Sequence, residues 1–564
     1  MTAVPGFWHV CPAAVREDPA VTAIADYVAD PSVRARLRAD QQRGAYPDHV
    51  LDELRARGLA RLFGREATAW HLSALHAELA AADGSLAITV GVNSLALLPV
   101  HLDGSPELQA RVFAQVERGE LAAMLLTEWE HGSDLLANET RAHPHEGGHL
   151  LRGAKALING GQRHRLLTVL ARTRERAPDA PGNAAFADHT LFWLERDAAV
   201  EAVERHPTLS ARGADISRVE LRGALASPGS VIGIEGDGFA VVRRTLALSR
   251  GGIAALAAGA TAAVHAQARA YARSRVIYGK PIDELDAIAD HLAELAELDA
   301  QCSAIAARAT AFANAFGPEA APITAAAKLV APRLAERATD VARRVLGSRA
   351  LLEDHDLARF IRDVPLYGIF DGTQHVMLEE LSFGLERFAR GRRLDASAPI
   401  ERVQEAWRAT PRPLCELGRA RSRLRPIDPR QLARELSLRA SHAWAASLPV
   451  LADAIFEVRE RLMTAELWSQ QATRFALAEA LAWLDACFAC LEVGDPRIAA
   501  ELRGVEMPDR AGQLEAGGCR RALAIAGRLR ALAAAAGWRS TALDDVEADL
   551  LGRAFRARRA SIAG

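Results

Sequence analysis

Residues 126–142 read LTEWEHGSDLLANETRA, and the chain changes its pattern there. Upstream, residues 1–120 repeat apolar positions with helical spacing, as in DHVLDELRARGLARL and SALHAELAAA. Downstream to residue 236 the apolar runs are short or alternating: LAAMLLT, HLLRGAKALI, RLLTVLART, HTLFWLE and SRVELRGAL. Gly, Pro and charged residues punctuate them, and no long helix intervenes, which predicts a strand-rich domain of antiparallel type. Within the quoted stretch, Thr127 closes an apolar run, where a hydroxyl and backbone amides can bond the edge of a heterocycle. Gly132-Ser133-Asp134 reads as a tight turn whose N–H groups and hydroxyl suit a phosphate.

The remainder is helical. Residues 237–390 hold long alanine-rich runs such as RRTLALSRGGIAALAAGATAAVHAQARAYARSR, whose small side chains predict close helix packing. A segment rich in Pro and Arg, 391–430, reads as a solvated linker, and residues 431–564 read as an additional C-terminal helical domain. The expected fold class is α+β, mostly α: an N-terminal helical domain at 1–120, a central antiparallel β-barrel-like domain at 121–236, a helix bundle at 237–390, then the linker and the extension.

At 564 residues the chain exceeds what one core sustains. Half its residues are hydrophobic, a quarter are charged and the net charge is −2, so nothing favours a nucleic-acid partner. Lysine occurs only at Lys155, Lys280 and Lys328; arginine carries the rest of the positive charge. Cys487 and Cys490 sit in an apolar helical run and read as core thiols. His143, His145 and His149 flank a hairpin turn at Glu146-Gly147-Gly148 and lack an acidic or thiol partner, so no metal is expected. The first residues lack the form of a secretory signal. No window of ~18 residues is uninterruptedly apolar, the nearest being broken by His265. A cytoplasmic protein without an integral membrane segment is the expectation.

Residues 367–376, YGIFDGTQHV, pose the functional question. Asp371-Gly372 has turn chemistry and Thr373 can cap the following helix, so Asp371 is either a turn residue or an active-site base. Six segments decide between them: RGAYPDHVLDELRARGL (43–59), LDGSPELQARVFAQVERGEL (102–121), LTEWEHGSDLLANETRA (126–142), RGAKALINGG (152–161), YARSRVIYGKPI (271–282) and RFIRDVPLYGIFDGTQ (359–374). In this order they resemble the acyl-CoA dehydrogenase family.

The resemblance implies an FAD-dependent enzyme that desaturates an acyl thioester, on coenzyme A or an acyl carrier protein. In the family a carboxylate removes the α-proton while a hydride leaves the β-carbon for the flavin. Asp371 stands where most members carry a glutamate. Its side chain is shorter by one methylene, about 1.5 Å of reach, which matters because small misplacements cost ~10²-fold in rate. The other position for a family base, on the first bundle helix, holds Ser249 beside Arg250, so Asp371 and Arg250 are assigned to the catalytic site.

For the cofactor, the resemblance implies Thr127 and Ser133 at the flavin ring and phosphate, Leu157 in place of a tryptophan against the flavin, and Asn159 in place of a threonine. It implies Arg275, with Tyr278 behind it, at the FAD diphosphate, often of the neighbouring subunit. Arg344 replaces the glutamine before the family's Gly-Gly, of which Gly347 remains and Ser348 departs; Thr373 follows the base. Trp129 replaces a proline and Asp286 a glutamine. Electrons would pass to an electron-transfer flavoprotein or to oxygen. Members with a helical extension lead us to expect a homodimer. The alternatives are an oxidase of the same superfamily, nitroalkane-oxidase-like or acyl-CoA-oxidase-like, and a redox-silent homologue.

Overall fold

The structure is a computed structural model, and it describes residues 6–175, 186–389, 399–418, 427–503 and 510–563. The class is α+β, mostly α, as the sequence predicts. The chain divides into two compact units. One comprises residues 13–252 and 411–422; the other comprises residues 1–12, 253–410 and 423–564.

In the first unit, the helices Ala69–Ala82 and Gly84–Asp103 are buried almost throughout, as their nearly continuous apolar sequences require. Side-chain caps start both of them. Thr68 Oγ1 accepts from His71 N–H at 3.2 Å, and Asp83 accepts from Leu86 N–H at 2.9 Å. Eight strands follow: β1 (Ala122–Leu125), β2 (Arg141–His145), β3 (Gly148–Asn159), β4 (Leu166–Arg172), β5 (His189–Glu195), β6 (Val200–Arg205), β7 (Ile216–Ala226) and β8 (Val231–Ile232). Their order is β6-β7-β3-β2-β4-β5-β8, with β1 joined to β4.

The sheet is mixed rather than purely antiparallel, which corrects the sequence expectation. β1 and β2 each pair with β4 in parallel, and the remaining pairings are antiparallel. The reason is burial: β1 is apolar and β4 is buried along all but its last residue, so they pair inside the domain after a crossover. Two polar ties fasten the sheet to the Gly84–Asp103 helix. Ala122 N–H donates to Asn93 Oδ1 at 2.7 Å, and Thr168 Oγ1 donates to the Ala96 carbonyl at 2.7 Å. Leu125, Leu151, Val169, Phe192 and Val219 form the centre of the core.

Among the described residues, the second unit is helical apart from the hairpin formed by β9 (Val276–Ile277) and β10 (Lys280–Pro281). The helices Asp286–Phe316, Ala321–Leu346 and Gln374–Ala389 build the bundle, and Gln471–Gly494 and Ala511–Ala535 of the extension pack with it. A buried charged cluster fastens the extension. Arg308 donates to Asp485 at 2.6 Å and Glu492 at 2.9 Å, and Trp407 Nε1 donates to Glu492 at 2.9 Å.

The expected linker, 391–430, proves partly structured. Pro399–Arg408 is a helix with Pro399, Ile400, Val403 and Ala406 buried, an amphipathic spacing concealed among prolines and arginines. Asn314 Nδ2 donates to the Thr410 carbonyl at 2.9 Å. Pro411–Gly418 then belongs to the first unit, where Leu414 N–H donates to the Ala67 carbonyl at 2.8 Å. Residues 391–398 and 419–426 of that segment lie outside the described residues.

Among the described residues, two helices, Gly84–Asp103 and Gly238–Ser274, are long and apolar enough to cross a membrane. The second contains the apolar window broken by His265 that the sequence singles out, and the first is not apparent in the sequence. Their apolar windows are 83% and 89% buried within the protein, as expected of core helices. Cys487 and Cys490 are buried as expected. Burial pushes the Cys490 thiol up to about 12 and that of Cys487 well above its usual value.

Candidate active site

A buried ion pair organises the 126–142 stretch. Glu128 accepts from Glu139 N–H (2.6 Å), Thr140 N–H (2.9 Å), Thr140 Oγ1 (2.6 Å) and Lys155 Nζ (2.9 Å). Lys155 Nζ also donates to the Leu126 carbonyl at 3.1 Å. Burial pushes the Glu128 carboxyl up, but Lys155 and the surrounding donors outweigh it and hold the group below the usual carboxylate range. Burial pushes Lys155 down to about 8 against the pull of Glu128.

The pair closes the loop between β1 and β2, leaving Ser133 exposed and Thr127 half-buried beside β3, where Ala156 N–H donates to the Thr127 carbonyl at 2.9 Å. Leu157, next on β3, is 53% exposed at φ 57°, a left-handed conformation that interrupts the strand register. Asn159, at the end of β3, is 7% exposed, and neither its Nδ2 nor its Oδ1 has a hydrogen-bond partner among the described residues. A buried carboxamide costs about 1–3 kcal/mol when unsatisfied, so an empty donor–acceptor pair suits a ligand carrying both functions on one edge. The flavin ring is such a ligand, and this observation makes the residues fit FAD. Arg250, of the same unit, lies buried on the helix Gly238–Ser274.

In the helical unit, Arg275 and Tyr278 stand at the β9–β10 hairpin. Tyr278 (φ 54°) and Gly279 (φ 81°) form its two-residue turn, both left-handed, which is the I′ pattern. Tyr278 is 92% exposed. Arg344 donates to Asp340 at 2.8 Å and is half-exposed at the end of the Ala321–Leu346 helix, with Gly347 (φ 60°) beyond it.

Asp371 lies on the turn between the short helix Val364–Gly368 and the helix Gln374–Ala389. Its φ of 56° precedes a Gly372 φ of 103°. A left-handed Asp costs about 1 kcal/mol, and such residues gather at functional sites. Thr373 is the cap the sequence predicts: its Oγ1 accepts from Val376 N–H at 3.5 Å and its carbonyl from Met377 N–H at 3.1 Å.

The Ala321–Leu346 helix supports this turn. Buried Lys328 donates from Nζ to the Tyr367 carbonyl and lies 5.2 Å from the Phe370 ring centroid. Arg333 Nε donates to Gln374 Oε1 at 3.0 Å. Glu336 lies nearby, its carboxyl pushed up by burial against the pull of Arg333.

Thr127, Leu157 and Asn159 thus gather around one strand in the first unit. In the second, Asp371 and Thr373 share a turn, the Arg275–Tyr278 pair has its own hairpin, and Arg344 lies about 12 Å further along the helix axis than Glu336. Sequence reading passed over Lys328, Arg333, Glu336 and the Glu128–Lys155 pair. The rarity of lysine was the available signal for two of them.

Residues 123–224 match the acyl-CoA dehydrogenase middle domain and residues 236–385 the acyl-CoA dehydrogenase C-terminal domain. A probable acyl-CoA dehydrogenase of Mycobacterium tuberculosis is 30% identical over 314 residues, 55% of this chain and 78% of the relative. Among solved structures, an acyl-CoA dehydrogenase of Bacillus anthracis, complexed with FAD, superposes at TM-score 0.76 with 17% identity, covering 98% of this chain and 94% of the other. A prolyl acyl carrier protein oxidase superposes at TM-score 0.59 with 19% identity over 65% of this chain and 97% of its own. The chain belongs to the acyl-CoA dehydrogenase family, oxidoreductases that act on the CH–CH group of acyl thioesters.

Proposed function

We propose that the protein is an FAD-dependent acyl thioester dehydrogenase in which Asp371 removes the α-proton. The placement of Asp371 carries this reading: a partly buried carboxylate on a left-handed turn, within the matched C-terminal domain, where the family places its base. FAD, when bound, supplies the acceptor for the β-hydride. Asn159 meets the ring edge with its unpartnered amide, Thr127 and Ser133 serve ring and phosphate, and Arg275 and Arg344 offer guanidinium groups to diphosphate. The α-proton is only weakly acidic, so the reaction depends on a carboxylate held at the correct distance and on a polarised thioester carbonyl. The substrate is a thioester of coenzyme A or of an acyl carrier protein, and the protein acts as a homodimer.

The test is anaerobic titration of the purified holoprotein with acyl thioesters of graded length, read by visible absorption. Bleaching by one chain length, abolished in Asp371→Asn, is expected. A flavin that stays oxidised with every thioester would direct attention to another substrate, nitroalkanes included.

A further inference from the structure

Lys328 is 1% exposed, and it is one of only three lysines in the chain. Its Nζ donates to the carbonyl of Tyr367, four residues before Asp371, and lies 5.2 Å from the centroid of Phe370, the residue immediately before it. From the same helix, Arg333 Nε holds the side chain of Gln374, three residues after Asp371, at 3.0 Å. Space is tight between these grips: a Cβ at Gly368 would lie 3.1 Å from Gln374 Nε2 and 3.6 Å from Glu336 Oε1.

We infer that Lys328 is a positioning residue for the active-site base: it fixes the backbone on which Asp371 is presented, through Tyr367 and Phe370. This rests on the reading of Asp371 as the base. The physical argument concerns strain. A non-glycine residue at φ 56° relaxes unless its surroundings over-determine it. The segment entering the turn ends a short 3₁₀ helix, whose last carbonyls have no partner within that helix. A buried ammonium at the Tyr367 carbonyl supplies one, and the Phe370 ring face below it adds a second restraint. A base set loosely on its turn still folds into place but spends less time at the reacting distance, so rate is lost rather than binding.

Lys328→Met keeps the length and removes both donor and charge, whereas Lys328→Arg keeps both. Each is compared as holoprotein with Asp371→Asn. The first readout is amide hydrogen exchange of the peptide spanning 367–374 against that of the 286–316 helix, which needs no substrate. Lys328→Met is expected to speed exchange of the turn at least ~10-fold, with the helix unchanged, and Lys328→Arg to restore protection. Equal exchange in Lys328→Met and wild type would overturn the inference, whatever the base proves to be.

The second readout is flavin reduction by whichever of butyryl-, octanoyl- and palmitoyl-coenzyme A reduces the wild type fastest. Lys328→Met should reduce ~10–100-fold more slowly at unchanged FAD content and thioester Kd, with a larger isotope effect from C2-deuterated thioester. An inactive Asp371→Asn beside a fully active Lys328→Met sinks the positioning role alone; an active Asp371→Asn sinks the base. If Lys328→Met does not fold, Phe370→Leu, which leaves the carbonyl bond in place, should slow reduction by roughly 3–10-fold, and no change would overturn the inference.

Discussion

At the residue scale, two side chains carry the proposed chemistry. Asp371 holds a conformation that favours glycine, yet the following position already is glycine, so the turn could have been made without a carboxylate in the left-handed place. Asp371→Asn preserves shape and hydrogen-bonding capacity and removes the carboxylate that we propose as the base. Thioester-driven flavin reduction should fall by ~10²–10⁴-fold with FAD content unchanged, as read by stopped-flow absorption. Asn159 presents the opposite case, a polar group buried without a partner. Asn159→Val should raise the melting temperature of the apoprotein, because the desolvation cost of the carboxamide disappears. It should also weaken FAD by roughly tenfold in a fluorescence titration, about 1.4 kcal/mol. A cofactor affinity equal to wild type would remove Asn159 from the flavin site.

At the scale of elements, buried charge does much of the organising. Glu128 and Lys155 tie the loop after β1 to β3, and removing one partner leaves the other buried without its counter-charge. Glu128→Gln should therefore cost about 3–5 kcal/mol in denaturant unfolding, more than an average surface substitution. The Arg308 cluster does the same for the extension, and it carries a pH signature. Burial pushes Asp485 up to about 6 despite Arg308 beside it, so from about pH 4 to 6 the unfolded chain releases a proton that the folded chain retains. Stability from this group is complete below the unfolded value and declines as pH rises through the folded one. Relative to Asp485→Asn, the wild type should lose stability across that interval, by up to about 3 kcal/mol. A flat difference in melting temperature between the two proteins from pH 4 to 6 would exclude the effect.

For the whole molecule, the extension is docked on the bundle by named bonds: Arg308 with Asp485 and Glu492, and Arg521 Nε with Gln301 Oε1 at 2.9 Å. It covers bundle surface, and we propose that the protein is a homodimer. Light scattering of the purified protein should return twice the 60.6 kDa chain mass, and a tetramer would refute it.

Much of this architecture was legible in the sequence, because periodicity reports local burial directly. The helical start, the strand-rich middle, the alanine-rich bundle, the Asp371-Gly372 turn and the Thr373 cap all follow from side-chain spacing and turn chemistry within a few residues of each feature. The mixed sheet, the helix inside the expected linker, the return of Pro411–Gly418 to the first unit and the clamp of Lys328 on the Asp371 turn were not legible. Each depends on partners distant in sequence, such as Ala122 with Leu166 or Lys328 with Tyr367, and no local pattern encodes which of many compatible segments will meet. Sequence alone determined most of the elements and the family to which the chain belongs. Tertiary structure decided which backbone groups a buried lysine would hold and which buried amide would be left without a partner, because hydrogen bonding and burial are settled only when remote segments compete for the same space.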